Sequence, residues 1–120
     1  MVEVSELCDY LKQDGLPVSY DKRTDTCRVN KSGGVLITTD GESLIVRSRN
    51  RDTVLYFPRP EELSHEFDLF HGENVVRVKG KLGELVFRVP ATDRPSLRVV
   101  IEFDIDKDEK PDAGAVRLWK

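Results

Sequence analysis

Amide side chains are nearly missing from this chain: Gln13, Asn30, Asn50 and Asn74 are the only ones. With 34% of residues charged, that scarcity is the composition expected of a thermophile, where thermolabile groups are few and ionic ones many. Cysteine is limited to Cys8 and Cys27, which have neither CxxC spacing nor a neighbouring histidine. They are expected as two buried thiols, with an intracellular disulfide as the alternative that a thermophilic source makes less odd. No apolar run approaches the ~20 residues of a membrane helix, and no charged n-region with an apolar run stands behind Met1. The expectation is a cytoplasmic protein with no membrane contact.

What is present suits one globular domain spanning residues 1–120, since 13.7 kDa with 38% apolar residues can bury a core without a staple. Charge alternates in blocks. Residues 1–21 carry a net −4, 22–60 a net +4, 61–76 a net −5, 77–98 a net +4, and the remainder −2. The basic blocks coincide with expected strands and the acidic ones with expected helices and the tail, so a chain of net charge −3 can fold into a bipolar molecule.

The organising stretch is 33–60, read as three strands of an antiparallel meander within a longer one over about 26–57. Asp40-Gly41 is a strong hairpin signal, because a type I′ turn needs positive φ at both central residues. It sets Thr39 opposite Glu42, Ile37 opposite Leu44 and Val35 opposite Val46. Around Asn50-Arg51, a two-residue turn places Ile45 opposite Tyr56, Arg47 opposite Val54 and Arg49 opposite Asp52; a four-residue loop over 49–52 is equally compatible. One face, with Val35, Ile37, Leu44, Val46, Leu55 and Phe57, is uniformly apolar and belongs to the core. The other mixes Leu36, Ile45, Val54 and Tyr56 with Arg47 and Arg49.

Val4, Leu7, Cys8 and Leu11 make the apolar stripe of a helix over about 4–14, closed by Gly15 at C′, Leu16 and Pro17. A short hairpin over 18–20 and 26–30 follows, and Ser32-Gly33-Gly34 leads into the meander. After Pro58 and Pro60, the acids Glu61 and Glu62 and the spacing of Leu63, Phe67 and Phe70 predict a second helix over about 60–71, stopped by Gly72. Strands over about 74–119 complete the chain: a hairpin around 80–83, a long alternating strand over 97–106, and a final strand over 115–119 beyond a charged loop. The fold class is α+β. Two short helices pack on a largely antiparallel, twisted sheet or partly open β-barrel of about seven to nine strands, with a weak internal duplication of α then meander.

No motif supports catalysis. Asp104, Asp106, Asp108 and Asp112 have the alternate spacing of a calcium loop, but Glu109 stands where its glycine belongs and Ala115 where its bidentate Glu belongs. His65 and His71, six apart on the expected helix, do not share a face for zinc. Ser64, His65 and Asp68 supply triad residue types without triad geometry. Neither Gly33-Gly34 nor the 80–83 segment leads into a helix N-terminus that could cradle phosphate. No enzyme activity, metal or cofactor is expected.

A binding surface is. Ile45, Arg47, Arg49, Arg51, Val54, Tyr56 and Arg59 gather on the mixed meander face, and Arg77, Lys79 and Lys81 form a second basic strand end. The expected function is a small binding or assembly module acting through self-association or a protein partner, because so apolar a face is poorly left in water. The alternative is a single-stranded nucleic-acid-binding protein, in which cations meet phosphates and Tyr56 stacks on a base.

Overall fold

The computed structural model describes residues 2–29, 34–48 and 52–103, and the backbone of 115–119. Helix α1 spans Val4–Gln13 and buries Val4, Leu7, Cys8 and Leu11, the four residues of the apolar stripe. Its end is a Schellman motif: Leu16 N–H donates to Leu11 O (3.2 Å) and Gly15 N–H to Lys12 O (3.0 Å). Gly15 has φ 97, a conformation in which a Cβ would be strained.

Among the described residues ten strands follow, and they form two separate five-stranded antiparallel meanders in place of one sheet. The first sheet takes β1 (Val18–Asp21), β2 (Thr26–Val29), β3 (Val35–Thr39), β4 (Ser43–Ser48) and β5 (Thr53–Pro58) in sequence order. The second takes β6 (Pro60–Asp68), β7 (Glu73–Gly80), β8 (Gly83–Pro90), β9 (Arg98–Phe103) and β10 (Ala115–Trp119), also in sequence order. Both turn an apolar face into one core. Val35, Ile37, Leu44, Val46, Leu55 and Phe57 come from the first sheet, Val76, Val78, Leu85, Phe87, Val99 and Ile101 from the second, and Leu7 and Leu11 from the helix. The antiparallel α+β class stands. Among the described residues no helix is long and apolar enough to cross a membrane.

The second helix expected over 60–71 is a strand, β6, and a turn. Leu63, Phe67 and Phe70 imitate a helical stripe, yet Phe67 and Phe70 are 50% and 86% exposed, so that stripe would have buried little. Pairing with β7 instead runs from Pro60↔Gly80 to Asp68↔Glu73 and turns Leu63 and His65 inward. β6 is an edge strand, and its acids, its proline and the irregularity between Pro60 and Glu62 are what protect an edge from stray pairing. Gly72 is a stop signal after all, but of a hairpin: at φ 67 it donates its N–H to Asp68 O (2.8 Å). With that helix gone, the α-then-meander duplication is reduced to two meanders.

The β3–β4 register also differs. Asp40 is opposite Ser43, and Gly41, with φ 96, takes the first central position of the turn. The Asp40 carboxylate accepts from the backbone N–H groups of Glu42 (2.9 Å) and Ser43 (2.8 Å), which holds Asp40 beside the turn and not within it. Ile37 consequently faces Val46 where Leu44 was expected. A slip of two leaves every side chain on its expected face, so the core assignment survives. The β4–β5 register is the expected one, with Ile45↔Tyr56 and Arg47↔Val54. The expected turn at Asn50-Arg51, the expected turn at Ser32-Gly33-Gly34 apart from Gly34, and the expected charged loop over 106–114 lie outside the described residues.

Cys8 and Cys27 are joined in a disulfide that ties α1 to β2. The expectation of two free thiols is therefore corrected: burial is as expected, at 3% and 0% exposure, and of the two readings it is the alternative, the disulfide, that forms. Helix and sheet bring the two Cα atoms to 5.6 Å, inside the range a disulfide bridges. Sequence spacing alone does not reveal that approach.

Candidate binding face

The outer face of the first sheet is built by two rows of residues running across the strands. Arg28, Leu36, Arg47 and Val54 are successive cross-strand partners in one row; Thr38, Ile45 and Tyr56 are successive partners in the next. Each alternates with a core residue, so the buried set fixes this set outward. Val54 is 37% and Tyr56 57% exposed. α1 packs against β1, β2, β3 and β7, and its apolar stripe lies in the core on the other side. The segment that could have covered the mixed face, the expected second helix, is part of the other sheet.

The two sheets treat their arginines differently. On the outer face of the second sheet, Arg77 donates from Nε to Glu66 (2.6 Å) and from Nη1 to Glu84 (3.3 Å). Arg88 Nη1 donates to Asp68 (3.0 Å) and Glu73 (3.2 Å), and Arg98 Nη2 to Glu73 (3.1 Å). On the same face Val75, Val86 and Val100 are each under 7% exposed, Val75 being the cross-strand partner of Arg88 and Val86 of Arg77. The acidic block 61–76 is thus spent on the basic block that follows it. The block 22–60 has no such ion-pair lattice: Arg23 lies 4.0 Å from Asp21, while Arg28 and Arg47 are exposed and reach no carboxylate among the described residues.

The expected site residues therefore separate. Ile45, Arg47, Val54 and Tyr56 come together on one face. Arg59 and Lys81 meet elsewhere, lining a cleft of about 370 Å³ with Pro58 and Leu82 where the chain leaves β5. Arg77 is committed to Glu66 and Glu84, which removes it from the expected surface, and Lys79 lies between Glu62 and Glu84 on the second sheet. Arg49 and Arg51 lie outside the described residues, as do Asp104, Asp106, Asp108 and Asp112. Arg28 belongs to the face and was not expected there. Its signal was the alternation of buried Cys27 and Val29 around it, which needs the β2–β3 register before it points anywhere.

The histidines, expected on a helix surface, lie in β6 and in the β6–β7 turn. His65 Nε2 is 2.8 Å from Asp14 Oδ1, and its ring stacks on Tyr10 with centroids 4.4 Å apart, pinning the C-terminal end of α1 to β6. The Asp14 side chain is 2% exposed and its Oδ2 has no partner. Burial pushes the Asp14 carboxyl above its ordinary range, with the hydrogen bond and charge of His65 pulling it partly back. A raised folded-state pKa favours folding below the unfolded value of about 4 and loses that contribution as pH rises through the folded one. Asp14→Asn, which cannot ionise, is therefore expected to match the native protein near pH 3, to gain on it as pH rises above about 4, and to hold a constant lead once the folded-state value is passed. Urea midpoints across that range check it, and a variant weaker than native at pH 7 would show the His65 pair to dominate.

Asp68, His71 and Glu73 bring one ligand atom each to within 4.8 Å of one another. Arg88 and Arg98 already neutralise both carboxylates, and His71 Nδ1 lies 2.8 Å from Asp68 Oδ2. Together His71 and Arg88 hold the Asp68 carboxyl far below the usual carboxylate range. A cation would have to displace two guanidinium groups, so the arrangement is that of an ion-pair lattice. The chain matches no family model, no curated protein and no solved structure.

Proposed function

We propose that this protein is a non-enzymatic binding and assembly module whose working surface is the outer face of the first sheet, and that the partner is protein. One observation carries the reading: Leu36, Ile45, Val54 and Tyr56 form an apolar patch that Arg28 borders and Arg47 interrupts, neither arginine meeting a carboxylate among the described residues and nothing described lying over the patch. On the non-catalytic reading His65 and His71 are structural groups, each with one ring nitrogen on a carboxylate, Asp14 and Asp68 respectively. The disulfide suits an oxidising compartment, and a cytoplasmic location is compatible with it only in an organism whose cytosol tolerates such bonds, as in hyperthermophiles.

The nucleic-acid reading draws on the same two arginines beside Tyr56. It is the weaker one because Tyr56 is the sole ring in the two rows, whereas single-strand platforms stack successive bases. Fluorescence anisotropy with a labelled single strand of about 20 nucleotides, at about 20 mM and 200 mM salt, separates the two. The expected result is no binding, together with association of the protein in sedimentation that weakens in Tyr56→Ala. Salt-sensitive binding that Arg47→Ala abolishes would overturn the protein reading.

A further inference from the structure

β5 is the last strand of the first sheet, and Thr53–Pro58 carries no charged residue. Natural edges are ordinarily guarded by charge, proline, bulges or brevity. β1 is four residues long with Asp21 at its end, and β6 bears four acids, a proline and a register irregularity. β5 has only Pro58, at its last position.

The hydrogen bonds around β4 decide which backbone groups that edge offers. Asp40 N–H donates to Ser43 O, so the bonded pairs between β3 and β4 fall on odd-numbered residues of β4. Arg59 N–H donates to Glu42 O (2.9 Å), so those between β4 and β5 fall on even-numbered residues of β4. Leu55 and Phe57 accordingly spend their backbone groups on Val46 and Leu44. Val54 and Tyr56 direct theirs away from the sheet, and Pro58, lacking an N–H, ends the row.

We propose that this edge pairs with the same edge of a second copy, antiparallel about a two-fold axis through Leu55, so that two five-stranded sheets become one continuous sheet. The inference goes beyond the outer-face reading, since edge pairing leaves that face uncovered for a further partner; it names a second copy as the partner of the edge and β5 as the seam. Of the possible registers, the one centred on Leu55 uses both outward-facing residues of both copies: Val54 of one lies opposite Tyr56 of the other, twice, giving about four new backbone hydrogen bonds. Each opposed pair is an aromatic against a β-branched side chain, a favourable cross-strand combination. The row across the seam then reads Leu36, Arg47, Val54, then Tyr56, Ile45 and Thr38 of the other copy, so no arginine meets an arginine. Face-to-face pairing through the same surface would oppose Arg28 and Arg47 to their own copies with no carboxylate in the two rows to relieve them. A seam this narrow buries less than a standard interface, so the dimer is expected to be a weak, concentration-dependent one.

Sedimentation velocity across micromolar concentrations tests it with two charge variants, Val54→Lys with Tyr56→Lys, and Val54→Glu with Tyr56→Glu. Each alone is expected to be monomeric, because position 54 of one copy meets position 56 of the other with like charge. An equimolar mixture is expected to restore a dimer of native affinity or tighter, which also shows that both variants fold. A native protein that stays monomeric throughout, or a mixture that fails to dimerise, overturns the proposal. If the native protein dimerises and both charge variants still do so alone, while Arg47→Ala weakens the dimer, the seam is wrong and the outer face remains the binding surface.

Discussion

Phe57→Ala is expected to lower the stability of the protein by about 3–5 kcal/mol, the range for truncating a fully buried aromatic. Phe57 is 1% exposed, lies opposite Leu44 in β5, and reaches across to the second sheet: a Cβ built on Gly80 of β7 would come within 2.9 Å of its ring. The glycine and the ring are complementary, one leaving the room the other fills. Truncation opens a cavity between two sheets whose own hydrogen bonds resist collapse into it, so the cost belongs near the upper end. Tyr56, its neighbour on the opposite face and 57% exposed, serves as the control, since Tyr56→Ala is expected to change stability by less than about 1 kcal/mol. Urea unfolding of both variants, with unchanged dependence on denaturant, decides the matter. Equal losses for the two would contradict the division of the meander into a core face and a free one.

Replacing Cys8 and Cys27 together by serine is expected to cost about 3 kcal/mol, from the separation of 19 residues between them. The loss should be unevenly distributed. α1 has ten residues, too few to persist alone in water, and two anchors hold it beyond its apolar stripe: the disulfide to β2, and Asp14 with Tyr10 on His65. Amide exchange should therefore accelerate first in the amino-terminal part of α1, nearest Cys8, and least in β7 and β8 at the centre of the second sheet. An unchanged midpoint after full reduction would show the bond to contribute nothing beyond the packing around it.

These two expectations rest on features of unequal legibility. The core face containing Phe57 follows from alternation alone and is insensitive to the turn: the strong signal at Asp40-Gly41 lies one residue before the observed turn, a difference that moves the register by two and leaves the faces unchanged. β6 had no such protection. Leu63, Phe67 and Phe70 fit a helical period, Glu61 and Glu62 suit a helix start, and local propensity offered nothing to contradict them. The decision came from β7, whose full-length pairing with β6 outweighs a three-residue stripe. The mixed face was readable as a set of residues, but its exposure depended on where β6 went. The contacts that define the second sheet's outer face, Arg88 on Asp68 and Arg98 on Glu73, span 20 and 25 residues and carry no local signature. The same is true of Cys8 on Cys27.

The chain passes from one sheet to the other once, at Arg59, a non-glycine residue at φ 49. Every strand pairing on the N-terminal side closes within residues 18–58, and every one on the C-terminal side within 60–119. Neighbouring strands are neighbours in sequence throughout, so each ladder grows by short loop closures and none waits for a distant segment. Slow assembly is the usual penalty of β-rich architecture, and this wiring avoids it. It also makes Arg59 the natural place to divide the polypeptide into two pieces, each retaining a whole meander and lacking only the apolar wall that the other supplies.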